Sequence, residues 1–233
     1  MQRTTGRADA AISTPRRAVL IDYGGVLTTP IADAFGDLDR RCGLPAGGAL
    51  RLIATDPAVR AAFVDLETGT LPPADFEVAY AEGLTRASGR AIDADGLLAG
   101  LVGRMALVPE MVDFVADLRA AGVPVALVSN SLGPGGYDAV DLEATFDVSV
   151  ISGQVGVRKP SRAIYSLACD RLGVPESDGV LIDDLQQNLD GAARLDIAGV
   201  LHRTPTETIE RATALLGLSG TNDGRPHAVA EGE

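Results

Sequence analysis

The chain has 233 residues, 46% of them hydrophobic, and a formal net charge of −12 at pH 7. That length and apolar content are enough for one large domain, or for a core with a smaller insertion. The acidity excludes nucleic acid and anionic membrane surfaces as expected partners, and an anionic substrate would need a local cation at its site.

Aromatic residues make up only 4% and Trp is absent, so Ala, Val and Leu must fill the core. Cys42 and Cys169 are too few for a disulfide framework and lie in helical-looking apolar contexts, which predicts buried free thiols. The chain reads without a signal-peptide pattern or a bilayer-length apolar run, and a reducing cytoplasm is the expected compartment.

Residues 1–15 are polar, small and without periodicity, and are expected to be a disordered leader. Residues 18–21 are apolar and read as a short buried strand, followed by Asp22 and by Gly24 and Gly25, where the backbone can turn sharply. From 31 to 105 the pattern is helical throughout. Phe35, Leu38 and Cys42 share a helical face that Gly43 ends, and Val59, Phe63 and Leu66 form another. After a turn at 66–71, Phe76, Tyr80 and Leu84 line a helix over 75–87, and Leu97 to Met105 suggests a last one.

The α/β pattern then resumes. A helix over 111–120 is followed by strands at 125–128, 148–151, 180–182 and 200–202. Between the third and fourth strands of the chain, Pro160 is placed at the start of a helix that runs to Gly173. Residues 189–195 form a short helix, Thr206 caps a last one, and 219–233 are expected to be disordered. Strands alternating with helices predict an α/β fold with a Rossmann-like parallel sheet. The polar residues that follow its strands converge on one edge.

Four such stretches carry chemistry. Asp22 ends the first strand. Ser129 and Asn130 end the next one. Arg158-Lys159-Pro160 places a lysine near a helix start, and Asp183-Asp184 is a pair of carboxylates at a strand end. In this order and spacing they resemble the four motifs of the haloacid dehalogenase-like superfamily, over roughly residues 16–218. The resemblance implies a discontinuous core of residues 16–30 and 106–218, with 31–105 inserted as an all-helical cap of the C1 type that closes over the site and selects substrate.

It also implies roles. A carboxylate can attack a phosphoryl or carbon electrophile and split one hard step into two. Asp22 is the candidate nucleophile and, by resemblance, would form an aspartyl-phosphate. Mg²⁺ would be held by Asp22, Asp184 and the main-chain carbonyl of Gly24, with Asp183 a direct or water-mediated ligand, as suits a hard cation with oxygen ligands. Ser129, Asn130 and Lys159 would bind phosphate, with Lys159 also neutralising the nucleophile. Asn188 either braces the Asp183-Asp184 loop or caps a helix, and Arg158 is expected at the surface.

The chain departs from the resembled pattern at position 24. Most phosphatases of the superfamily carry an Asp there that protonates the leaving oxygen and then activates water. Gly24 can do neither, and such groups contribute about 10²–10⁴-fold, or roughly 3–5 kcal/mol of barrier. Asp65 and Glu67 of the helical segment are the nearest candidates to replace it. The expected function is a Mg²⁺-dependent phosphatase of a small phosphorylated metabolite. A ligand-binding protein without turnover is the alternative that Gly24 favours. A haloacid dehalogenase is a third reading, against which the paired acids at 183–184 argue.

Overall fold

The computed structural model describes residues 17–133 and 135–218, so the terminal segments 1–15 and 219–233 lie outside the described residues. A strand covered on both faces reads as an unbroken apolar run, and β1 (Ala18–Ile21) is buried at all four positions. The other strands are β2 (Val125–Ser129), β3 (Val148–Ile151), β4 (Gly179–Asp183) and β5 (Ala198–Leu201). All pair in parallel, in the order β3-β2-β1-β4-β5. The Rossmann-like α/β sheet expected from the sequence is therefore present, with β1 at its centre.

The helices are α1 (Ile31–Cys42), α2 (Gly48–Thr55), α3 (Pro57–Glu67), α4 (Pro73–Ser88), α5 (Leu97–Val102), α6 (Pro109–Ala120), α7 (Leu142–Thr145), α8 (Ser152–Val155), α9 (Arg162–Leu172), α10 (Gln186–Ala193) and α11 (Pro205–Leu215). Strand side chains alternate between faces. Val19, Ile21, Leu127 and Ile182 meet Met111, Phe114 and Leu118 of α6 on one face. Leu20, Ala126, Val128 and Leu181 meet Ile164 and Tyr165 of α9 and Leu189 of α10 on the other. Cys42 and Cys169 are buried and free.

Helices α1 to α5 bury a separate apolar core that includes Phe35, Val59, Leu66, Phe76, Tyr80 and Leu101. Phe76 and Tyr80 stack with ring centroids 5.4 Å apart, and the Tyr80 hydroxyl donates to the Ala49 carbonyl at 3.0 Å. Burying a large apolar side chain such as Phe76 stabilises by about 1.5–3 kcal/mol. The chain leaves the sheet and returns to it side by side: Thr29 N–H donates to Ala106 at 2.8 Å, and Val108 N–H to Leu27 at 2.9 Å.

Two helix starts differ from expectation. Helix α9 begins at Arg162, because Ser161 keeps an extended backbone (φ −61°, ψ 134°), and Pro160 lies in the turn before it after a cis peptide bond from Lys159. Helix α11 is capped by Thr204, whose hydroxyl accepts from Glu207 N–H at 3.4 Å. Pro205 then takes the first helical position, where a missing N–H costs little, and Thr206 lies inside the helix.

Candidate active site

Strand register brings the site together. Ile21 pairs with Leu127 on one side and Ile182 on the other, so Asp22 leaves the sheet level with Asp183 and one residue short of Ser129. The Asp22 N–H extends the ladder to the Ile182 carbonyl at 2.9 Å. The chain then turns on the Tyr23 carbonyl, which accepts from Leu27 N–H at 2.9 Å and Thr28 N–H at 3.1 Å. Gly25 has φ 76°, and a Cβ built there would stand 2.5 Å from Asp184 Oδ2. Both the backbone sign and the close approach require glycine at 25. Gly24 is outside the left-handed region. The space where its side chain would go is filled by Ile31 Cδ1, 2.7 Å from the ideal Cβ.

Lys159 is only 1% exposed, and its ammonium stands 2.7 Å from Asp22 Oδ1 and 2.7 Å from Asp183 Oδ2. Burial opposes the charge on Lys159, but the Asp22 and Asp183 carboxylates outweigh it and hold the ammonium above its ordinary value. Burial also pushes the Asp22 carboxyl up, against the pull of Lys159. Asp22 Oδ1 accepts as well from Tyr23 N–H at 2.7 Å. Asp183 is engaged at both oxygens: Oδ1 accepts from Leu185 N–H and Asn188 Nδ2, each at 2.9 Å, and Oδ2 from Lys159 and from Asn188 Nδ2 at 3.1 Å. Asn188 thus braces Asp183. Asp184 is raised to about 6, first by burial and then by the neighbouring Asp183 charge.

Asp22, Gly24, Ser129, Asn130, Lys159 and Asp184 all line one cavity of about 310 Å³, together with Asn188. Asn130 spends both polar ends of its side chain on the Lys159 backbone: Oδ1 accepts from Lys159 N–H at 2.8 Å, and Nδ2 donates to the Lys159 carbonyl at 3.2 Å. The Ser129 hydroxyl accepts from the Tyr137 hydroxyl at 2.9 Å. Tyr137 lines the cavity from a glycine-rich turn, and nothing in the sequence pattern marked it. Burial pushes its phenol up.

The two acids considered for the proton separate here. Asp65 has an exposed side chain, and its carbonyl closes the turn after α3 by accepting from Thr70 and Leu71 N–H. Glu67 is 5% exposed and lines the cavity, and burial pushes its carboxyl up to about 7 against the pull of Arg158. Arg158, expected at the surface, lines the cavity too, because Glu67 draws it inward: Nε stands 2.6 Å from Oε2, within ion-pair range though not aligned as a hydrogen bond.

The donor set suits a hard divalent cation. Asp22, Asp183 and Asp184 each offer an oxygen, all within 4.8 Å of one another. The Lys159 ammonium and, at Asp184, the more distant Arg203 guanidinium offset these three carboxylates only in part, so a bound cation would relieve their mutual repulsion.

The model of the haloacid dehalogenase-like hydrolase family matches residues 16–196. Mouse acyl-CoA dehydrogenase family member 10 is 32% identical over 112 residues, a match that spans 47% of this chain and 10% of that protein. The solved structure of the haloacid dehalogenase family enzyme BT-2542 from Bacteroides thetaiotaomicron, in complex with magnesium and inorganic phosphate, superimposes with a TM-score of 0.58. It is 19% identical and covers 81% of this chain and 94% of that one. The L-2-haloacid dehalogenase PA0810 superimposes with a TM-score of 0.54 at 21% identity, over 83% of this chain and 87% of that one. These two likenesses show the fold. The family match spans most of the chain, and this protein belongs to the haloacid dehalogenase-like hydrolases.

Proposed function

We propose that this member of the haloacid dehalogenase-like hydrolases is a Mg²⁺-dependent phosphomonoesterase of a small phosphorylated metabolite. Residues 16–30 and 106–218 act as its core, and the helices of 31–105 as a cap over the site. What carries the reading is the Lys159 ammonium, held 2.7 Å from both Asp22 and Asp183 in a cavity that Ser129 and Asp184 also line.

In this reading an Asp22 oxygen attacks phosphorus, a new P–O bond forms, the ester P–O bond breaks, and an aspartyl-phosphate results. Lys159 favours the ionised Asp22 that the attack needs, against the burial that raises its carboxyl, and presents its charge to the phosphate oxygens. The Ser129 hydroxyl donates to another phosphate oxygen, with Tyr137 fixing its position. Asn130 keeps the Lys159 backbone in place. Bound Mg²⁺ would be held by Asp22, Asp184 and the Gly24 carbonyl, and would supply Lewis-acid charge to the phosphoryl oxygens. Asp183, already engaged at both oxygens, would add its charge to the same site.

Proton transfer falls to Glu67. Raised to about 7, it is partly protonated near neutrality and shares the cavity with Asp22. It gives its proton to the leaving oxygen and takes one back from the water that hydrolyses the aspartyl-phosphate. The net charge of −12 speaks against nucleic acid as a partner. Among the described residues no helix is long and apolar enough to cross a membrane, and two free buried thiols suit a reducing cytoplasm.

The test is hydrolysis of p-nitrophenyl phosphate with Mg²⁺ and with EDTA. Mg²⁺-dependent nitrophenolate release is expected. Metal-independent halide release from 2-haloacids would move the chain to the dehalogenases. Neither activity would favour the ligand-binding reading that Gly24, with its side-chain space taken by Ile31, supports.

A further inference from the structure

We infer that the alcohol half of the substrate is apolar: a phosphate monoester of an alkyl or aryl alcohol, not of a sugar. The inference rests on the phosphomonoesterase reading and concerns the part of the cavity that the phosphate does not use.

The helical segment contributes Ile31, Phe35, Leu50, Phe63, Val102 and Met105 to the cavity wall. Among the described residues its one charged contribution to that wall is Glu67, which is held by Arg158. Asn130 turns its amide to the Lys159 backbone and to Glu67. Beside Glu67, the polar side chains near this wall are Arg158, Tyr137 and Gln187 from the sheet edge, so the sugar hydroxyls turned toward the helical wall would lose water without a partner, which is costly. An alkyl or aryl group would meet the wall by dispersion and lose water-exposed apolar surface.

A second observation points the same way. Four large hydrophobic side chains are exposed among the described residues, and two of them, Leu50 at 41% and Leu185 at 46%, border this cavity. Leu50 comes from α2 and Leu185 from the turn before α10, so two separate elements each present an apolar group to solvent at the same site. Apolar side chains left in water at a cavity mark a ligand surface more than a packing one.

The experiment measures kcat/KM for 4-alkylphenyl phosphates from methyl to butyl, whose leaving-group acidity is nearly constant. Glucose 6-phosphate and p-nitrophenyl phosphate are run beside them. In parallel, alkylphosphonates of rising chain length, which cannot be hydrolysed, are read by melting temperature. The expected result is a rise of about fourfold in kcat/KM per added methylene, the equivalent of ~0.8 kcal/mol. Leu50→Gln should flatten that slope. If p-nitrophenyl phosphate is cleaved but the slope is flat, or the sugar phosphate is preferred, the apolar inference is overturned and the phosphatase reading stands. If no ester is cleaved yet phosphonate protection grows with chain length, the hydrolytic reading fails and the apolar ligand class stands. If neither occurs, both fall.

Discussion

Arg158 Nε stands 2.6 Å from Glu67 Oε2, and the pair ties the loop before Lys159 to the C-terminal end of α3. Two further contacts fix the same junction. The Ser152 hydroxyl donates to the Glu67 carbonyl at 2.5 Å. Gly69, with φ 74°, lies so close to the Gly153 carbonyl that a Cβ would overlap it. Glu67 is thereby held in the cavity by its backbone as well as by its charge.

Glu67 should leave a pH signature. Its folded pKa, about 7, lies above its ordinary 4.5, so the folded state binds more protons between those values. Its contribution to stability is therefore full below the unfolded pKa and is lost as pH rises through the folded one. Glu67→Gln removes this titration. Urea unfolding of the variant is expected to be flatter with pH between about 4.5 and 7, by up to about 3 kcal/mol across the window. Identical slopes in the two proteins would show that Glu67 titrates normally. In kinetics, Glu67→Gln should slow alkyl phosphates by roughly 10²-fold or more and p-nitrophenyl phosphate much less.

Lys159 serves stability and chemistry at once. Lys159→Met leaves Asp22 and the fully buried Asp183 without their shared cation. Removing one partner of a buried charged group costs about 3–5 kcal/mol. That loss is expected in EDTA, with Mg²⁺ restoring part of it. Unfolding of Lys159→Met in EDTA at the wild-type denaturant midpoint would contradict this account.

The sheet and its polar edge were legible in the sequence because their signals are local. Strands β1, β2 and β4 are apolar runs that end in Asp22, Ser129 and Asp183, and parallel pairing brings such ends together. Other features lacked a local signal. Helix α2 buries Ala49 and Ile53 of its eight residues, too few to show a period, and α7 and α8 have four residues each. Arg158 looked like any surface arginine, since its partner Glu67 is distant in sequence and meets it through the junction at Ser152 and Gly153. The apolar wall was equally hidden: Ile31, Leu50, Phe63 and Val102 come from four helices, and tertiary packing alone makes them one surface.

Asp22→Asn keeps the shape and volume of the side chain but cannot form the acyl-phosphate. Turnover of p-nitrophenyl phosphate is expected to fall by ~10⁴-fold or more, as for loss of other covalent nucleophiles. Melting temperature serves as the folding check. A folded variant with wild-type turnover would remove Asp22 from the nucleophile's role.

Mg²⁺ should raise the melting temperature, because an ion that binds the folded state alone stabilises it by about 2.7 kcal/mol at a hundredfold excess over Kd. Asp184→Ala should abolish that shift. Asp184 shares the acidic cluster with Asp22 and Asp183, and of the latter two Asp183 is already engaged at both oxygens. An undiminished shift in Asp184→Ala would place the ion elsewhere.

The last prediction concerns position 24. Gly24 has no backbone obstacle to a side chain, since its φ lies outside the left-handed region. The obstacle is packing: Ile31 Cδ1 stands 2.7 Å from the ideal Cβ, Ile31 Cγ1 3.3 Å and Met105 Cε 3.6 Å. Gly24→Asp alone must displace the end of Ile31, and overpacking of that kind costs about 1–3 kcal/mol. Ile31→Val deletes the 2.7 Å atom and keeps the β-branched core of the side chain. The double variant G24D/I31V should therefore accept the carboxyl that the single variant strains to hold. A new acid helps poor leaving groups most, because nitrophenolate departs without a proton and an alkoxide does not. We expect kcat/KM for an alkyl phosphate to rise at least about tenfold in the double variant, within the range general acids supply. The change for p-nitrophenyl phosphate should be small, and the single variant should gain less. Adding Glu67→Gln should enlarge the gain, since the new carboxyl would then be the one acid placed for the step. Equal effects on both esters in G24D/I31V would mean that residue 24 alters binding or the metal site and not proton transfer.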